Sequence, residues 1–296
     1  MSVVARIGFF VTALAIMLAA GYGLGAALDP DRGDDGTDMA SAGTGHEEHD
    51  MGTTTADGPA AGEVATRPER VEVEGGRFEP GAAQTLRFRV LDRDGRTVGD
   101  YDVEHEREMH VIVVRRDLTG YRHIHPRRTA DGGWEVDVRF GEPGPHRVFA
   151  DFSSAGASHT LAADVEVEGD YRPRRLPRPA PTARAGAGYE VEIASDGDER
   201  RFEVTRDGRP VDDLEPYLGA RGHLVALREG DLAFMHVHAQ DAATEGRAIR
   251  FAVEFPSRDS YRMFLQFKHD GEVRTAAFTE DGGRARATHG EVDHGH

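Results

Sequence analysis

Six histidines carry the strongest chemical signal in this chain, and they come in two sets of three. His110, His123 and His125 are followed at a constant offset of 113 (223−110, 236−123, 238−125) by His223, His236 and His238. Neutral imidazole is a favoured ligand of first-row transition metals. Three rings on one ion make a nitrogen-rich site for a divalent transition metal, Cu(II) before Zn(II) or Ni(II). Hard cations prefer oxygen and fit such donors poorly.

Convergence needs elements that hold the rings on one face. Each set lies in a sixteen-residue stretch, from His110 to His125 and from His223 to His238, that reads as a β-hairpin. In the first, the apolar strand Val111-Ile112-Val113-Val114 meets a polar turn at Arg116 to Gly120, then a strand ending in His-x-His. Side chains alternate along a strand, so His123 and His125 share a face. In an antiparallel pair with odd residue sum, His110 faces the same way, opposite or diagonal to His125. The same holds for His223 and His238, which predicts two sites per chain. The competing reading has these histidines packed in the fold or donating to loop carbonyls. Val111 to Val114 is apolar on both faces, which predicts a buried His110. Glu104, His105, Glu106 and Met109 are further donors ahead of His110, whereas Gly219 to Gly222 precede His223. Asp151 and Gln266 stand near corresponding strand ends. His146, His159 and His269 have no counterparts and read as surface or turn residues.

The rest of the chain must build those hairpins. Ile7 to Leu28 is an uncharged, largely apolar run of 22 residues behind Arg6. As a helix it spans a hydrocarbon core of roughly 30 Å. An uncleaved anchor and a cleaved signal peptide both fit; the length of the run favours the anchor, and both export the protein. Residues 1–28 are therefore expected as a membrane anchor and 29–67 as a disordered acidic tether containing His46 and His49. Between Asp29 and Ala60, nine acidic residues and one arginine leave a net of −8, with too few apolar residues to fold. Short alternating strands then predict a β-sandwich repeat over 68–169 and a second over 188–280. Val204-Thr-Arg-Asp-Gly-Arg-Pro-Val211 matches Val90-Leu-Asp-Arg-Asp-Gly-Arg-Thr-Val98, which marks an internal duplication. Residues 170–187 hold four prolines and read as a linker with few contacts to either repeat, and 281–296 as a disordered tail with His289, His294 and His296.

Composition closes off several functions. A formal net charge of −17 argues against nucleic acid as a partner and favours cations. Cysteine is absent, so disulfides, thiolate metal sites and thiol catalysis are excluded. No nucleophile elbow, phosphate loop, His-Glu-x-x-His helix or dinucleotide fingerprint occurs, and nothing supplies a matched general base, so an enzyme is not expected.

Glu108-Met-His-Val-Ile-Val-Val-Arg-Arg-Asp-Leu118 and Pro216-Tyr-Leu-Gly-Ala-Arg-Gly-His-Leu-Val-Ala-Leu227 resemble an actinobacterial group of membrane-anchored secreted proteins sometimes labelled heavy-metal-binding. The repeats are also distantly similar to YtkA-like and CopC-like β-sandwiches. This resemblance implies an exported, all-β chain with two tandem immunoglobulin-like sandwiches behind an N-terminal transmembrane helix. The expected function is extracytoplasmic, membrane-tethered binding or sequestration of a transition metal, most readily copper. The alternative is a metal-free surface or adhesion module that contacts another protein.

Overall fold

Every regular element of the computed structural model, which describes residues 68–237 and 247–282, is a β-strand. The expected anchor, the tether and nearly all of the tail lie outside the described residues. The two repeats belong to one compact unit, Gly62–His296.

The first repeat comprises β1 (Pro68–Val73), β2 (Arg77–Phe78), β3 (Ala83–Asp92), β4 (His110–Arg115), β5 (Arg122–Ile124), β6 (Arg127–Arg128), β7 (Trp134–Arg139), β8 (Gly144–Ser154) and β9 (Ala157–Val167). One sheet has the order β1-β3-β7-β6 and the other β2-β9-β8-β4-β5. The alternating residues Leu86, Phe88 and Val90 of β3 face Val111 and Val113 of β4 across the core, which Trp134 and Phe152 help to fill. The second repeat comprises β10 (Thr182–Arg184), β11 (Tyr189–Asp196), β12 (Glu199–Arg206), β13 (Arg209–Pro210), β14 (His223–Arg228), β15 (Phe234–Val237), β16 (Ile249–Ala252), β17 (Ser260–His269) and β18 (Glu272–Asp281). Its sheets are β10-β11-β12-β13, with β16 also on β12, and β15-β14-β17-β18. Tight turns set the register of the long hairpins. Asp270 and Gly271 both have positive φ between β17 and β18, as a two-residue type I′ turn requires.

Strands β4 and β14 hold equivalent places. Ile112 pairs with His123 across β4 and β5, and Val225 pairs with His236 across β14 and β15. On the other side His110 opposes Asp151 and His223 opposes Gln266. His110 and His223 therefore begin matching strands, as the repeat predicts.

All six residues of β4 are buried, because both of its faces are covered. Val111 and Val113 point into the first sandwich. Ile112 and Val114 point outward and join Phe149, Val225, Leu227 and Phe264 in a third apolar core made by both repeats. Tyr121 stacks on Phe264 with ring centroids 4.0 Å apart, and Phe149 lies 5.3 Å from Phe234. Tyr121 and Phe234 share the offset of 113, and Phe149 and Phe264 are 115 apart. The two ring pairs are thus one contact made twice about a local two-fold axis.

This packing corrects the expectation of a detached linker. Arg174 N–H donates to Asp117 Oδ2 at 2.8 Å, and Leu176 packs on the shared core. Residues Thr182–Arg184 are strand β10, paired with β11. The proline-rich composition hid these anchors because each is a single side chain or backbone group rather than a pattern.

Candidate metal centre

His110 opens β4 at the edge of the shared core, and β5 carries His123 on the strand beside it. Antiparallel pairing brings His123 level with Ile112, so the same register sets His125 opposite His110. One ligand nitrogen from each of His110, His123 and His125 lies within 4.8 Å of the others. His110 is buried, and the other two rings are half-buried.

The hydrogen bonds around two of these rings select one tautomer for each, given the orientation of the Gln266 amide. His110 Nε2 is 3.1 Å from the carbonyl oxygen of Glu104, which can only accept. His123 Nδ1 is 2.7 Å from Gln266 Oε1, while the Gln266 amide nitrogen faces Thr275 Oγ1 at 3.5 Å. With the Gln266 amide so oriented, both outer nitrogens carry hydrogen, and neutral imidazole has only one. The inner nitrogens, His110 Nδ1 and His123 Nε2, are left as two lone pairs 3.1 Å apart. Lone pairs at that distance repel unless a cation lies between them. Two ligands on an ion with bonds of about 2.0–2.1 Å stand about 3.3 Å apart in a tetrahedral shell and about 2.9 Å apart in a square one. The observed separation falls between those values.

A proton is disfavoured on His123 and on His125. Burial holds His123 down to about 3, with the neighbouring His110 and His125 rings adding to the effect. Burial likewise lowers His125 to about 4, helped by His110 and Arg107. His125 Nε2 is buried without a hydrogen-bond partner among the described residues, and its lone pair suits a third ligand. Closing it on an ion needs an inward movement of up to roughly 1.5 Å from the widest spacing the cluster allows. The buried Asp151 supplies nearby negative charge; it favours positive charge on His123 and accepts a bond from Thr160 Oγ1 at 2.7 Å.

The second repeat enters the same place. The His223 ring centroid is 4.8 Å from that of His123 and 6.2 Å from that of His110, and Gln266 is also a second-repeat residue. His223 therefore joins the surroundings of the first set, where the spacing predicted a separate site. The His236 side chain and the whole of His238 lie outside the described residues, so the second trio stands on sequence alone. His105 is 6.2 Å from His110 and 6.1 Å from His223, ring to ring. It sits with Glu106 in a turn where both have positive φ, 48° and 66°. Tyr217 to Ala220 makes the matching bridged turn in the second repeat, with Leu218 and Gly219 at positive φ. Non-glycine residues rarely adopt that conformation, and the sequence Glu-His-Glu-Arg gives no hint of it. Two of the three unpaired histidines depart from expectation. His146 is buried with Nδ1 donating to Gly144 O at 3.0 Å, and His269 is buried against Asp213 and Tyr189. His159 packs on the ring of Phe152.

The fold and the site define a tandem repeat of two β-sandwiches joined through a histidine-lined seam. The chain belongs to the family described as a domain of unknown function (DUF8832), whose model matches residues 64–169 and 187–282. No curated protein matches it. Among solved structures it is similar to a Salmonella alpha-2-macroglobulin mutant at 15% identity and a TM-score of 0.26, covering 74% of this chain. This chain spans about 15% of the length of that structure. A titin fragment, A168169, is 14% identical with a TM-score of 0.22, covering 75% of this chain and 100% of the fragment. Domains 5-6 of the S-layer protein SbsC are 12% identical with a TM-score of 0.22, covering 74% and 100%. Likeness at this level carries no functional argument, and none of these matches supports the resemblance to YtkA-like or CopC-like proteins.

Proposed function

We propose that this protein binds a divalent transition metal through His110, His123 and His125, as an exported and membrane-tethered module for holding or passing the ion. The observation that carries this reading is the pair of inward lone pairs on His110 and His123, whose outer nitrogens are committed to Glu104 O and Gln266 Oε1. Neutral, partly desolvated imidazoles are ready ligands, because no proton has to leave before the ion binds. Cu(II) is favoured over Zn(II) or Ni(II) by three nitrogens with room for further ligands. The two sandwiches are of the immunoglobulin-like kind, and the apolar run Ile7 to Leu28 is the anchor.

His46, His49, His289, His294 and His296, outside the described residues, offer further imidazole ligands for copper. The test therefore uses the full-length protein with those five replaced by alanine. Calorimetric titration with Cu(II) is expected to give a tight equivalent that is lost in the His123→Ala/His125→Ala variant. Binding absent from the parent, or unchanged in that variant, removes the proposal.

A further inference from the structure

A groove of about 570 Å³ opens beside the three histidines, and His123 and His125 form part of its wall. Both repeats line it. Arg107 and Arg122 come from the first, Lys268 and Tyr217 from the second, and Tyr121 lies at its inner end. The only acidic side chain in the lining is Glu106. Lys268 is already held by Glu215, with Nζ 2.7 Å from Oε2. Arg107 and Arg122 are both exposed and have no ion pair among the described residues. In a chain with 53 acidic and 36 basic residues, two unpaired arginines beside one groove make a local positive field against the overall charge.

Two phenols in the groove are donors as well. Tyr121 Oη is buried with no hydrogen-bond partner among the described residues. Tyr217 is a second phenol in the lining. Arg107 lines the groove together with His125 and Tyr217. Guanidinium groups in a fork and phenolic O–H groups together match the oxygens of a carboxylate. His123 and His125 line the same groove, so a ligand held there lies beside an ion on the histidines.

We infer that this groove binds a small carboxylate anion, which serves as an exogenous ligand to the histidine-bound metal. The inference rests on the metal reading above and adds the chemical class of the co-ligand. The metal keeps its imidazole bonds and exchanges a solvent ligand for a carboxylate oxygen, with no change of oxidation state.

Oxalate is the probe, titrated into the full chain carrying alanine at positions 46, 49, 289, 294 and 296 and loaded with one equivalent of Cu(II). The visible copper band is expected to shift saturably. The Arg107→Gln/Arg122→Gln variant is expected to keep the copper band and to need about tenfold more oxalate or above for the same shift. A copper band that ignores oxalate, or an equal response in wild type and variant, overturns the carboxylate inference and leaves the metal proposal standing. A spectrum turning into that of free copper oxalate also counts against it, because the anion then competes with the site. Absence of any protein-bound copper band overturns the metal proposal and the carboxylate inference together.

Discussion

Replacing Gln266 by leucine separates the ligand chemistry from the packing. Gln266 is buried on β17, and its Oε1 accepts from His123 Nδ1 at 2.7 Å across the two repeats. Leucine has similar volume and offers no acceptor. In the metal-free protein the His123 proton is then free to move to Nε2 and to donate to His110 Nδ1, now 3.1 Å away. That exchanges a lone-pair repulsion for a hydrogen bond worth about 1 kcal/mol. The amide gives up only a long contact to Thr275 Oγ1, at 3.5 Å. The metal-free variant should therefore stay within about 1 kcal/mol of the parent, or about 4 °C in Tm. The metal-bound state loses the group that orients His123 and raises its basicity, which weakens binding by about 10- to 100-fold. Calorimetry with Cu(II) and thermal unfolding without it, on the same preparation, measure both effects. Metal affinity unchanged in Gln266→Leu would refute the tautomer assignment, and collapse of the metal-free protein would show that Gln266 serves the fold instead.

The pH dependence has a definite sign. His123 and His125 are held down to about 3 and about 4 in the fold, whereas the unfolded chain titrates near 6.5. Between those values the unfolded state takes up protons first. Stability of the metal-free protein is fully present above about pH 6.5 and falls below it, by up to about 1.4 kcal/mol per pH unit for each ring. Urea unfolding at pH 7, 6 and 5 checks this, and His123→Ala should flatten the dependence. Copper on imidazoles of ordinary pKa should dissociate near pH 6.5, while copper on the His110, His123 and His125 centre persists to lower pH; a pH titration of the visible band distinguishes the two. At the seam, Phe264→Ala removes the ring stacked on Tyr121 and should cost about 3–5 kcal/mol, seen as a lower urea midpoint. A loss below about 1 kcal/mol would mean that the shared core contributes little.

The repeats and the first histidine trio were legible because both are periodic. Alternation along Val111 to Val114 and the offset of 113 suffice to place His110, His123 and His125 on adjoining strands. The seam was present in the sequence as an unresolved clue. A strand apolar on both faces needs cover on both, and Ile112 and Val114 find it in Val225 and Leu227 rather than within their own sandwich. Nothing local says that the cover comes from the other repeat. The roles of Gln266 and His105 were out of reach for the same reason, since one acts across 143 positions and the other depends on a turn with unexpected φ values. The protonation range also moved. Free imidazole suggests loss of binding near pH 6.5, and only burial reveals that two rings stay neutral well below it.

X-ray absorption on the copper-loaded full chain, with His46, His49, His289, His294 and His296 replaced by alanine, tests the central claim most directly. Three imidazole nitrogens at about 2.0 Å from a single copper are predicted, with one fewer in each of His110→Ala, His123→Ala and His125→Ala. An oxygen-dominated shell, or a nitrogen shell that those three variants leave unchanged, would contradict it.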